Sequence, residues 1–309
     1  MHMPSSDPNY AMDLVVATPV FLDLTFVGLD GLPVLGEELF AADLMQTPGG
    51  GAITAIAAAR LGLSTAIAAP LGRDEAGDVV RAALASEGVE LVERSAARTP
   101  TTVVFPLSGD RAMVTVDPGV RASAADVAGL QPRAVALSLD QLYAVPEGAN
   151  AYVTVGDDDA RAYAGRPPAL LGRARALFVN QREALGLTNE LSVDAAATRL
   201  AEMVDTVIVT LGPAGAIAVS GGERCTASAQ ANVDPIDTTG AGDALAAAFI
   251  WADLHGAPTR SALEWAVLYA STAVGSTTGI GGAMTLGDLL AAGDARGLEM
   301  PPAISASAD

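Results

Sequence analysis

Three short apolar runs recur at intervals late in the chain: AYVTV (151–155), ALFVN (176–180) and TVIVTLG (206–212). Near-continuous apolarity over so few residues suits strands buried on both faces. Between them lie ARAYAGRPPALLGRAR and VDAAATRLAEMV, stretches long enough to carry a crossover. Parallel strands need such crossovers, and the crossovers then cover both faces of the sheet. The expected class is α/β, a three-layer α/β/α sandwich around a mostly parallel central sheet.

The rest of the chain both extends and interrupts this alternation. DLVVATPVFLDLTF (13–26) opens as a buried strand and then alternates, and STAIAAPLG reads as another strand. AITAIAAARLG (52–62) is an Ala-rich helix ending at a glycine, and DEAGDVVRAALASEG (74–88) a helix that starts in acids and ends in Gly. TTVVFPL and AMVTVD form a hairpin around SGDR, GAIAVSGG an antiparallel edge pair, and two helices near 241–254 and 260–275 close the domain. The short strands near 21–47 and 99–116 do not fit the parallel pattern. They are expected to form a small separate sheet, a lid over a cleft. The expected domain spans 12–300, with 1–11 and 301–309 as flexible termini.

Composition removes several kinds of chemistry. All 17 basic residues are arginine, so a P-loop, which needs GxxxxGK[ST], and lysine Schiff-base or pyridoxal chemistry are excluded. Cys225 is the one cysteine, and His2 and His255 are the only histidines, which leaves no Cys/His zinc site and no intrachain disulfide. A formal charge of −19 disfavours nucleic acid, whose phosphates require a basic face. That acidity reads as a solubility device. No GxSxG elbow is present, and ATPVFLDL stands where a dinucleotide fold would place GxGxxG. The apolar runs are too short to span a bilayer, and no targeting segment is evident, so a cytoplasmic protein is expected. Any catalysis must rest on carboxylates, backbone dipoles and a hard metal.

Three segments have the residue types for that chemistry. DTTGAGD (237–243) runs straight into the apolar ALAAAFIWADL. The amides of Gly240, Ala241 and Gly242 ahead of a helix can hold an anion, with Asp243 beside them to take a proton. Equally, Asp243 can merely cap the helix, and spacing alone leaves both readings open. NQRE (180–183) leaves a strand at its carboxyl end, where Asn180 and Glu183 have oxygens suited to Mg2+, directly or through water. By itself that pattern also reads as a polar cap. PGGGAIT (48–54) has three glycines before a helix, more than a tight turn needs, which favours close approach of a ligand. With Asp23 nearby, that backbone could read sugar hydroxyls.

Taken together and in this order, PGGGAITAIAAARLG, LGRDEAG (71–77), NQRE, VTLGPAGA (209–216) and DTTGAGD resemble the ribokinase-like, phosphofructokinase-B family of carbohydrate kinases over about residues 13–290. The resemblance implies a ribokinase-like fold with a β-sheet lid, and ATP and Mg2+ as co-substrate and metal. It implies Asp243 as general base and Gly240, Ala241 and Gly242 as the anion hole. Asn180 and Glu183 would organise Mg2+ and its waters. Asp23, Gly49 and Gly50 would bind the acceptor, and Thr210 and Gly212 would border the nucleotide. Asp237 and Thr239 stand where the ligands of a monovalent cation such as K+ would come from. Gly51 and Thr54 occupy places where many relatives carry Asn, and Asp140 lies near an acid that touches the sugar in some relatives. Sugar-phosphate kinases of the family use basic lid residues, whereas ARTPTTVVFPL has only Arg98, so an unphosphorylated sugar is the expected acceptor. A nucleoside, walled by Phe21, Phe26 or Phe40, is the alternative, as is a non-catalytic binding paralogue. A homodimer through the lid is expected.

Overall fold

In the computed structural model the described residues are 7–107, 110–230, 240–275 and 278–305. The strands are β1 (Met12–Val16), β2 (Val20–Val27), β3 (Asp43–Gly50), β4 (Thr65–Leu71), β5 (Glu90–Ser95), β6 (Thr101–Leu107), β7 (Asp110–Val116), β8 (Pro132–Ser138), β9 (Asn150–Thr154), β10 (Ala174–Asn180), β11 (Thr206–Thr210), β12 (Ala216–Ser220) and β13 (Glu223–Ala227). The helices are α1 (Gly51–Arg60), α2 (Glu75–Ser86), α3 (Ala124–Ala128), α4 (Asp157–Ala162), α5 (Gln181–Thr188), α6 (Val193–Ala201), α7 (Ala241–Leu254), α8 (Thr259–Ala273), α9 (Leu286–Asp294) and α10 (Pro302–Ser305).

Nine strands form the central sheet in the order β13-β12-β11-β10-β9-β8-β1-β4-β5. It is parallel from β11 to β5, and β12 and β13 add antiparallel at one edge. The period of two along each strand divides the core in two. Leu14, Val16, Ala176 and Phe178 face one layer with α1, α2, α7, α8 and α9. Val15, Leu177 and Val179 face the other, with α5 and α6. Helix α7 is apolar nearly all round and is buried from Ala244 to Ala252, as a helix enclosed by both sheet and neighbouring helices must be. Beside it Trp251 and Trp265 meet edge to face at 5.8 Å. A Cβ at Gly293 would lie 1.9 Å from the Trp265 ring, so α9 closes on that indole only through a glycine. The segment ARAYAGRPPALLGRAR does not make one crossover helix. It breaks into α4 and a short 3-10 turn at Ala169–Arg173, with Gly165 at φ 67° and two prolines between. Among the described residues no helix is long and apolar enough to cross a membrane.

The second sheet, β3-β2-β6-β7, is the lid. Asp23 lies opposite Thr102, Thr102 opposite Thr115, and Thr25 opposite Val104. Asp23, Thr25, Thr102 and Val104 are buried, so this face is turned toward the body. The other face has Phe26 stacked on Phe105 at 5.5 Å, together with Leu44, Val114 and Val116, all three exposed. The inward face thus carries Asp23, Thr25 and Thr102 beside Val104, while the outward face leaves an apolar group exposed where an ordinary half-solvated sheet is polar.

Candidate active site

Helix α7 begins behind Gly240, its N-cap, whose φ of 77° is left-handed. A Cβ there would lie 2.7 Å from Ile53 Cδ1 on α1, so the position requires glycine twice over. No side chain of the N-cap takes the amides of the first turn, and those amides have no acceptor within the helix. Gly240 is buried, Ala241 half-buried and Gly242 exposed. Asp243 projects from the same turn. Its carboxylate Oδ1 accepts a hydrogen bond from Thr54 Oγ1 at 3.1 Å, across 189 residues of sequence. The glycine run that starts α1 and the acid that starts α7 are thereby one site. Burial pushes the Asp243 carboxyl up to about 6, while the Thr54 hydroxyl, the Arg111 guanidinium and its own amide draw it back down. A carboxylate in this state is ionised at neutral pH yet basic enough to take a proton.

The lid adds the groups above this floor. Asp23 is 7% exposed, and a Cβ at Gly49 would stand 2.0 Å from its Oδ2, so the carboxylate lies directly on that glycine. Gly50, at φ 58°, is the N-cap of α1, and a Cβ there would run into Pro19 O at 2.5 Å and the Phe21 ring. Gly51 leaves the same kind of room, since its Cβ would lie 2.4 Å from Thr18 Oγ1. All three glycines are thus used, each for a close approach by the chain itself. Thr54, one turn on, is buried against Asp243.

Arg111 is the residue that the sequence reading passed over. It sits on β7 four residues from Thr115, hence on the inner face with Asp23, and its charge acts on Asp243. The signal was available: in RAMVT the alternation puts Arg111, Met113 and Thr115 on one face. Arg98, by contrast, is exposed at the root of the lid. Of the three phenylalanines, Phe21 borders the diglycine, Phe26 packs on Phe105 on the outer face, and Phe40 is 79% exposed.

On the other side of the cleft, Asn180 ends β10 beside Thr210 at the end of β11, in direct register. Gly212 follows at φ 60°. Asn180 and Glu183 form a reciprocal capping box. Glu183 N donates to Asn180 Oδ1 at 2.9 Å, and the Glu183 carboxylate accepts from Asn180 N and Nδ2, both at 2.7 Å. Burial, chiefly, and the acids Asp157 and Asp159 raise Glu183 to about 7, against the Asn180 amide and Arg182. The pair caps α5 and lies at the carboxyl end of the sheet. Among the described residues no group of three or more His, Cys, Asp or Glu is arranged to hold a metal ion. The Glu183 carboxylate is already engaged by Asn180, so it could reach a metal ion only through water. Asp140 lies 3.6 Å from Arg121 Nε, on the segment that leaves β7. Asp237 and Thr239 lie outside the described residues.

A mostly parallel nine-stranded sheet between two helical layers, with a separate four-stranded sheet, defines the α/β class of the fold. The chain belongs to the pfkB family of carbohydrate kinases, whose family model matches residues 33–285. It is 28% identical over 292 residues to a ribokinase of Bacillus subtilis, covering 89% of this chain and 94% of that one. Among solved structures, an Arabidopsis thaliana ribokinase complexed with ribose and ATP superposes with a TM-score of 0.75 at 25% identity, over 91% of this chain and 98% of that one. An adenosine kinase from Sinorhizobium meliloti shares the fold with a TM-score of 0.77 at 21% identity, over 93% and 100% of the two chains.

Proposed function

We propose that this protein transfers the γ-phosphoryl group of ATP to a hydroxyl, a primary one, of an unphosphorylated sugar or sugar-like acceptor. Asp243 takes the proton from that hydroxyl as its oxygen bonds to phosphorus and the bond to the ADP oxygen breaks. The amides of Gly240, Ala241 and Gly242 hold the charge on the phosphoryl oxygens, with Arg111 adding its charge from above. Asp23 accepts from acceptor hydroxyls while the backbone of Gly49, Gly50 and Gly51 approaches them, and Thr54 keeps the base aimed. Asp140 is the outer acid of that subsite. Asn180, Thr210 and Gly212 border the nucleotide. Asn180 and Glu183 would stand toward a Mg2+ ion, which would supply charge neutralisation at the phosphates. Asp237 and Thr239 are the proposed side of a K+ site. The lid excludes water, so that the nucleotide is not simply hydrolysed.

The observation that carries this reading is the Thr54–Asp243 hydrogen bond, which joins the acceptor side to the anion hole. The likeness to an adenosine kinase and the place of Phe21 beside Gly50 favour a nucleoside as second reading. The outward apolar face of the lid supports a homodimer through that face. A panel of sugars and nucleosides assayed for ADP formation tests the proposal. A phosphorylated sugar with Asp243-dependent kinetics is the expected result; binding with no transfer to any acceptor overturns it.

A further inference from the structure

The root of the lid is tied to the body by one polar cluster. Asp74, the N-cap of α2, accepts from Gly77 N at 2.9 Å through Oδ1, from Thr99 N at 2.9 Å through Oδ2, and from Thr99 Oγ1 at 2.6 Å. Thr99 Oγ1 in turn accepts from Gly72 N at 3.0 Å. Arg81, held by Glu93 and Asp78, donates to Gly72 O at 2.7 Å. The packing leaves no slack: a Cβ at Gly72 would lie 2.6 Å from Thr99 N, and one at Gly77 2.4 Å from Gly72 O. Together these hydrogen bonds hold the Asp74 carboxyl below its usual range, the Thr99 hydroxyl contributing most.

From this cluster a short path leads to the acceptor carboxylate. Thr99 is followed by Pro100, whose carbonyl accepts from Leu22 N at 2.9 Å. Leu22 precedes Asp23, which pairs with Thr102 and rests on Gly49. Helix α2 also packs against β2 and β3. Beside the cluster a cavity of about 450 Å3 is lined by Asp74, Arg98, Thr99, Thr101 and Val116, so the lid root is not wedged by bulk on that side.

We propose that Asp74 and Thr99 form a positioning latch that fixes the entry of β6 and, through Pro100 and Leu22, sets Asp23 over the acceptor. The inference rests on the acceptor role given to Asp23 above. The latch acts on one substrate, since none of its residues belongs to the nucleotide side.

The test uses Thr99→Val, near in shape but without the hydroxyl, and Thr99→Ser, which restores it. The expected result for Thr99→Val is an acceptor KM raised ~10-fold, about what one hydrogen bond to a charged group is worth. The KM for ATP stays within about twofold, because no nucleotide group is touched. A larger share of ATP is hydrolysed without transfer, and amide hydrogen exchange speeds up in 20–27 and 101–107 but not in β8–β11. Thr99→Ser returns the three altered readouts toward the parent. Asp74→Asn, which keeps one acceptor oxygen for Gly77 N, gives the same pattern should Thr99→Val fail to fold. Unchanged lid exchange overturns the latch, as does a KM for ATP that rises in step with that of the acceptor. Should the parent phosphorylate no acceptor, the kinase reading fails, and the exchange measurement still decides the latch.

Discussion

The central sheet and the lid both supply site residues, but they are built on opposite rules. Strands β8 to β11 are sealed between two apolar layers, and the groups at their ends, such as Asn180 and Thr210, are fixed by that packing. The lid has four strands, an apolar face left open, and attachment through hydrogen bonds at its root. On the proposed reading, Asn180 and Thr210, which border the nucleotide, lie on the first, and Asp23, which meets the acceptor, lies on the second. Thr54, on the helix that follows the lid's last glycine, bonds to Asp243 at the head of α7.

Asp243→Asn gives the largest effect on that comparison. Loss of the base lowers kcat on the order of 10³-fold, within the range known for general bases, while the KM for ATP holds. The same variant raises Tm at pH 7.5. Asp243 has its carboxyl raised to about 6, so it binds a proton more tightly folded than unfolded. Its contribution to stability is full below the unfolded value and lost as pH rises through about 6. Above that, asparagine avoids the buried charge, and the gain in Tm shrinks as pH falls toward 4. A Tm unchanged at pH 7.5 breaks the assignment of a desolvated acid.

Asp23→Ala comes next. It lowers kcat/KM for the acceptor roughly 10- to 100-fold, the worth of hydrogen bonds to a charged group, and leaves the nucleotide untouched. Equal losses for both substrates would mean that lid and sheet do not divide the work. Arg111→Gln has a smaller effect on kcat at neutral pH and a distinct signature. The parent loses kcat as pH falls through about 6. Without the guanidinium the base is raised further, so the acid limb moves to higher pH; a limb that stays in place removes Arg111 from the site. Smallest is Val114→Asp on the outer face, 63% exposed. The expected change is a lower mass by sedimentation with Tm shifted little, as at other exposed positions. An unaltered mass argues against pairing through this face.

Much of this was legible before any coordinates. The parallel strands, the helices at 241–254 and near 260–275, and the separate lid followed from periodicity and from glycine placement, because these are local signals. Asp243, Thr54, Asp23 and the glycines were all chosen from sequence, but no spacing along the chain could bring Thr54 within 3.1 Å of Asp243. Alternation alone puts Arg111 on a face with Met113 and Thr115, but only the register of β7 on β6 and of β6 on β2 joins that face to Asp23. The polar cap read from NQRE is formed by Asn180 and Glu183.

The sequence by itself determined the class of fold, the family signature and the absence of lysine, of a Cys/His zinc site and of an intrachain disulfide, since each depends on residue identity and near-neighbour order. Tertiary structure alone decided which face of the lid looks inward, how far the carboxyl of Asp243 is raised, and how Asp74 reaches Thr99 and, through it, the strand of Asp23. The physical reason is that burial and contact between remote segments are set by packing, and packing is a property of the whole chain at once.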